Sequence, residues 1–195
     1  MYDILSTNFD TYKINKSLSE LLLNVPFDYR NQICLTNKPG CNDPYYKGVG
    51  SLYYNDGIRK QIEHIDKESD YNEFNKNLYN SYFYHIYNCW TGDYGLKLGR
   101  IRLMKLNKKC CLSWHVDTDK RIHLPIITDE KCKVVIDDHA FHLPANGNSF
   151  IVDTTLPHTV FNGSMNTERV HLVGTILWKH KANMEVILFN HHGQY

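Results

Sequence analysis

From residue 100 onward the chain alternates apolar and polar positions in short runs. RIRLMKL (100–106), CLSWH (111–115), RIHLPII (121–127), KVVI (133–136), HAFHL (139–143), SFIVD (149–153), HTVFN (158–162) and RVHLVGTILW (169–178) each read as a strand. The breaks NKK, VDTDK, TDEK, DD, PANGN, LP and GSMNTE are mostly polar, glycine or proline. Eight short strands with little helical pattern between them predict a double-sheet jelly roll or barrel.

Before residue 97 the pattern differs. Ile14, Leu18, Leu21, Leu22 and Val25 trace one apolar stripe, which predicts a helix over 12–25. Phe74, Leu78, Tyr82 or Phe83, and Ile86 keep helical spacing between about 70 and 88. The glycine- and proline-bearing stretch NKPGCNDPYYKGVGSLYYNDG between them reads as loop, with one short strand at 50–54. The expectation is a single, mainly β domain with flanking helices. Residues 1–96 form a helical and loop part packing on the sheet, 97–178 the β core, and 179–195 a C-terminal strand and tail.

Length and composition agree with one domain: 195 residues, 42% apolar and 13% aromatic. A formal net charge of +1 gives no electrostatic footprint for nucleic acid or an anionic membrane, so neither is an expected partner. No run approaches the length of a membrane span, and the opening MYDILSTNFDTYKINK lacks a basic region followed by an apolar one. Six cysteines without a CxxC, two of them adjacent at Cys110 and Cys111, read as free thiols in a cytoplasmic protein.

Candidate chemistry concentrates in WHVDTDKRIHLP, Trp114 to Pro125. His115 and Asp117 are two apart, so on extended backbone both side chains leave one face. His158, opening an apolar strand directly after a proline, is the leading third ligand. Two neutral imidazoles and a carboxylate suit non-haem Fe(II), with positions left open for substrate and oxygen. Only six of the 22 basic residues are arginines, yet Arg121 and Arg169 open the matching strands RIHL and RVHL. Arg169 stands eleven residues beyond His158, where a returning hairpin brings it toward the metal, and arginine suits a buried carboxylate. An anionic co-ligand is therefore expected. On the same strand Arg121, His123 and Pro125 share the face expected to look inward, with Ile122, Leu124 and Ile126 on the other. His171 shares the face of Arg169. His139 and His142 point to opposite faces at their spacing, Asp119 reads as a turn acid, and His191 and His192 as tail residues.

RLMKLNKKCCLSWHVDTDKRIHLPI, FHLPANGNSFIVDTTLPHTVFNGS and RVHLVG together resemble the aspartyl/asparaginyl β-hydroxylase family. The likeness covers roughly residues 97–178. It implies a double-stranded β-helix (cupin-like) and an Fe(II)- and 2-oxoglutarate-dependent dioxygenase that hydroxylates an amino acid, free or in a peptide (Asp, Asn or Pro). It also implies that His115, Asp117 and His158 hold iron, that Arg169 binds the distal carboxylate of 2-oxoglutarate, and that Arg121 and His123 lie near its other end. The partners would be 2-oxoglutarate, O2 and the amino-acid or peptide substrate. Two other readings stay open: a jelly-roll binding module without turnover, and a cupin-type enzyme that does not use 2-oxoglutarate. Arg169 argues against the second, which has no need of a buried arginine there.

Overall fold

Helix α1 (Thr11–Leu22) begins where the Asp10 side chain accepts a hydrogen bond of 3.1 Å from the Lys13 amide. That acceptor satisfies one of the amides that a helix start leaves without a partner. Ile14, Leu18 and Leu21 then fall on one buried face. Asp10→Ala is expected to lower the unfolding free energy by about 1 kcal/mol, read as an earlier urea midpoint. An unchanged midpoint would mean that water serves the helix start equally well.

The computed structural model describes residues 2–52 and 66–177. The strand and tail expected over 179–195, with His191 and His192, lie outside them. Of the strand expected at 50–54, residues 53 and 54 also lie outside, and 50–52 are not in a strand.

Twelve strands form among the described residues: β1 (Tyr2–Leu5), β2 (Gln32–Cys34), β3 (Thr36–Asn37), β4 (Glu73–Phe74), β5 (Leu98–Leu106), β6 (Cys110–Cys111), β7 (Arg121–Ile127), β8 (Cys132–Ile136), β9 (His139–Phe141), β10 (Ser149–Val152), β11 (His158–Asn162) and β12 (Arg169–Ile176). Six pair in the order β1-β10-β7-β12-β5-β2, four in the order β6-β11-β8-β9, and β3 pairs with β4. Every pairing is antiparallel. Leu106, Phe150 and Val152 of the larger sheet share a core with Val134, Ile136 and Val160 of the smaller. The two sheets therefore face each other as a double-stranded β-helix, a mainly β fold with flanking helices.

The outer face of the larger sheet carries the helices. Ile14 and Leu18 of α1, with Phe83 and Ile86 of α2 (Tyr82–Asn88), pack into one core with Leu103, Ile122 and Leu124. Covered on both faces and flanked by β5 and β7, β12 is buried at all eight positions. A Cβ at Gly174 on β12 would come within 3.1 Å of Ile122 and 3.8 Å of the Trp90 ring. Glycine there lets the wholly buried Trp90 lie on the sheet, where its indole N–H donates to the Ser149 hydroxyl at 2.9 Å.

Two expectations about the N-terminal half change. The periodicity over 70–88 resolves into a 3-10 turn at Lys76–Leu78 and the short helix α2. Asn75 starts the turn, its side chain accepting from the Asn77 amide at 3.1 Å, and between the turn and α2 the Ser81 hydroxyl donates to the Leu78 carbonyl at 2.7 Å. The residues before 97 also supply both edge strands of the larger sheet, β1 against β10 and β2 against β5. All six cysteines are free. No helix among the described residues is long and apolar enough to cross a membrane.

Candidate metal centre and cavity

The chain leaves the strand pattern after β6 and returns to it for one residue. His115 and His158 stand directly opposite, exchanging backbone hydrogen bonds of 2.9 and 2.8 Å. Their side chains therefore leave the same side, with ring centroids 4.1 Å apart. Two residues on, the Asp117 amide donates to the Thr154 carbonyl at 2.8 Å, which keeps Asp117 beside the pair. Its Oδ2 lies 3.8 Å from His158 Nε2. One ligand atom from each of the three residues lies within 4.8 Å of the others, and among the described residues no other His, Cys, Asp or Glu group does this.

The tautomers are set by the backbone. His115 Nδ1 lies 2.8 Å from the Ser113 carbonyl, and His158 Nδ1 lies 3.0 Å from the Leu156 carbonyl. A carbonyl only accepts, so both rings carry their proton on Nδ1 and present Nε2 as a bare donor, the form a metal needs. Burial holds the His158 imidazole below its usual pKa, which keeps it neutral. Burial opposes ionisation of Asp117, but the Arg121 guanidinium offsets it and holds the carboxyl below the ordinary range. The donor set is thus poised for a divalent cation at neutral pH.

Behind the three lies a buried ionic chain. Arg121 Nε donates to Asp117 Oδ2 at 3.0 Å, Nη1 contacts the Thr175 hydroxyl, and Nη2 donates to Glu68 Oε1 at 3.1 Å. Glu68 also takes a bidentate pair from Arg100, at 2.9 and 2.7 Å, and accepts from Thr175 at 2.9 Å. Burial alone would raise the Glu68 pKa, yet Arg121, Arg100 and Arg102 together bring it down to about 2. Sequence reasoning missed Glu68. One signal for it existed: Arg100, Arg102 and Arg121 alternate with apolar residues on buried strands, and buried guanidinium groups require an acid nearby.

A cavity of about 360 Å³ between the sheets joins these groups. On β7, Arg121 and His123 line it, while Ile122, Leu124 and Ile126 belong to the helix-side core. At one end Arg169 is buried, and its Nη2 donates to His171 Nδ1 at 2.9 Å. Burial lowers its pKa to about 10, and no carboxylate among the described residues pairs with it. His171 Nε2 and His123 Nδ1 are buried without hydrogen-bond partners. Burial first, then the Arg169 charge, hold both imidazoles well below their usual pKa and neutral.

The structure thus brings His115, Asp117, His158, Arg121, His123 and Arg169 to one cavity. His139 stays exposed beside Asp138, and the His142 ring turns to the Cys132 carbonyl at 3.0 Å. Asp119 accepts from Thr118 at 2.7 Å as a turn residue.

A family model for aspartyl/asparaginyl beta-hydroxylases matches residues 65–181, more than half of the chain. No curated protein matches in sequence. An oxidoreductase of the 2OG-Fe(II) oxygenase family from Burkholderia pseudomallei is similar in structure at 14% identity and a TM-score of 0.48, covering 93% of this chain and 86% of its own. A viral collagen prolyl hydroxylase from Paramecium bursaria Chlorella virus-1, solved with 2OG, gives 8% identity, a TM-score of 0.44 and coverage of 90% and 96%. A cupin superfamily protein from Desulfitobacterium hafniense gives 15%, 0.33, and coverage of 40% and 67%.

Proposed function

The chain belongs to the aspartyl/asparaginyl beta-hydroxylase family, and we propose that it is an Fe(II)- and 2-oxoglutarate-dependent dioxygenase hydroxylating an amino acid, free or in a peptide. One observation carries this reading: two imidazoles with bare Nε2 atoms and an ionised carboxylate converge at a cavity whose far end holds a buried arginine without a carboxylate. The first three groups fit a divalent metal, and the fourth fits an organic anion.

In this reading His115, Asp117 and His158 hold the iron. When bound, iron with 2-oxoglutarate and O2 supplies the oxidising power to turn a C–H into a C–OH, releasing succinate and CO2. Arg121 fixes the orientation and charge of Asp117, because its guanidinium is already shared among Asp117, Glu68 and Thr175. Arg169 receives the distal carboxylate of 2-oxoglutarate, held in place by His171. The neutral His123, on the cavity wall, offers a hydrogen bond to the same molecule. The two sheets keep bulk water from this end, which strengthens each charge-assisted contact.

The direct test is succinate release from 2-oxoglutarate with Fe(II), across free amino acids and Asp, Asn and Pro peptides. Release that depends on one of them is the expected result. Binding without turnover would favour a jelly-roll binding module, and turnover without 2-oxoglutarate a cupin-type enzyme. Arg169→Lys is expected to weaken 2-oxoglutarate by about 10- to 100-fold, on the order of 2 kcal/mol, through loss of the two-pronged contact. Iron affinity should move far less. Unchanged 2-oxoglutarate affinity would assign its carboxylate to another residue.

A further inference from the structure

His115 and His158 are oriented by backbone carbonyls, but the Asp117 carboxylate is oriented by a side chain, Arg121. The Nε and Nη2 groups of an arginine point the same way, a fork whose spacing matches the two oxygens of one carboxylate. Arg121 divides that fork. Its Nε donates to Asp117 Oδ2 at 3.0 Å, and its Nη2 to Glu68 Oε1 at 3.1 Å. Asp117 Oδ1 accepts no hydrogen bond from the described residues. The carboxylate is thus held at one oxygen and keeps the other for a cation beside the two imidazoles.

Glu68 is itself fixed. Arg100 Nε and Nη2 close on its two oxygens at 2.9 and 2.7 Å, and the Thr175 hydroxyl donates to Oε2 at 2.9 Å. Arg100 is anchored in turn by the Gly48 and Gly50 carbonyls, at 2.8 and 2.9 Å. The turn Glu68–Asp70 lies against β5, where a Cβ at Gly99 would come within 2.5 Å of the Glu68 carbonyl. Just before the turn, Asp66 accepts from Lys38 and from the Tyr71 hydroxyl, at 2.5 and 2.7 Å. An acid held this firmly competes with Asp117 for Arg121. Without it the fork is free to close on both Asp117 oxygens, the geometry in which an arginine binds a carboxylate most tightly and leaves a metal least.

We propose that Glu68 is a positioning residue for the metal centre: by holding one prong of Arg121, it keeps Asp117 from being clamped at both oxygens and so preserves it as a ligand. This rests on the reading that His115, Asp117 and His158 hold the metal. Glu68 makes no hydrogen bond to any of the three, so its effect on them passes through Arg121. Removing Arg121 should therefore remove that effect, which a double-variant cycle can read. Thr175 belongs to the same device, since its hydroxyl contacts Arg121 Nη1 and donates to Glu68.

The test is calorimetric titration with Mn(II), and visible absorption with Co(II), both without oxygen and with circular dichroism as the folding control. The proteins are wild type, Glu68→Gln, Asp117→Asn, Arg121→Gln and the double variant Glu68→Gln/Arg121→Gln. Glu68→Gln should bind Mn(II) about 10-fold or more weakly than wild type, and its Co(II) spectrum should move toward that of Asp117→Asn. In the Arg121→Gln background the same change should move affinity by less than about twofold, whereas a merely structural role would keep its full effect there. Thr175→Val should weaken Mn(II) in the same direction by a smaller factor, with Thr175→Ser close to wild type, and this pair carries the test if Glu68→Gln does not fold. Wild-type affinity in folded Glu68→Gln, equal affinities in the two Thr175 variants, or an undiminished effect in the Arg121→Gln background would each overturn the positioning role alone. Failure of wild type to bind Mn(II), or binding by Asp117→Asn equal to wild type, would overturn the metal reading and the positioning role with it.

Discussion

His158→Ala is expected to abolish stoichiometric Fe(II) binding and all 2-oxoglutarate turnover while leaving the fold in place. The ring supplies the Nε2 that lies 3.8 Å from Asp117 Oδ2, and no other described histidine can replace it there. The pairing of position 158 with 115 survives the change, because both of its hydrogen bonds are made by backbone. His115→Ala should behave alike. Anaerobic Fe(II) titration, with circular dichroism as the folding control, reads both. Full-affinity binding in both variants would remove the metal centre from this position. His139→Ala, on an exposed side chain, should match wild type throughout.

Glu68→Ala is expected to have the largest effect on stability, about 3–5 kcal/mol, because it leaves Arg100 and Arg121 buried without their shared acid. Thermal or urea unfolding measures it, and a melt coincident with wild type would show that the two guanidinium groups find water instead. The same residue predicts an acid sensitivity. Its pKa falls from the ordinary 4.5 to about 2 on folding, so its ionisation stabilises the folded state by on the order of 3 kcal/mol above pH ~4.5. That contribution disappears as pH drops through the folded value. Glu68→Gln should therefore lose less stability than wild type between about pH 4.5 and 2.

Most strands after residue 97 were legible because they bury a face, and burial imposes a period of two; the exposed run CLSWH, expected as a strand over 111–115, is strand only at Cys111 and bridges again at His115. RIHLPII shows why this extends to the site: Arg121 and His123 face the cavity and Ile122, Leu124 and Ile126 the helices, so one alternation encodes chemistry and packing together. HVD was legible for the same reason. The edge strands β1 and β2 were not, since four and three residues are too few to show a period. Over 70–88 the apolar spacing suited a helix, but the spacing carries no trace of the Asn75 and Ser81 side chains turning back on their own backbone. Glu68 sits in a 3-10 turn among other acids, Asp66 and Asp70, and only the strand arginines distinguish it.

The sheets differ in what backs them. Arg102, Arg169 and His123 stand on the larger one, whose outer face is pinned by Trp90 and both helices. His158 stands on the smaller one, where Lys133 and Val135 of β8 stay partly exposed. Strand register fixes the spacing of Arg102 and Arg169 along the first sheet, which is packed on both faces, whereas His158 stands on a sheet whose outer face is partly bare to solvent.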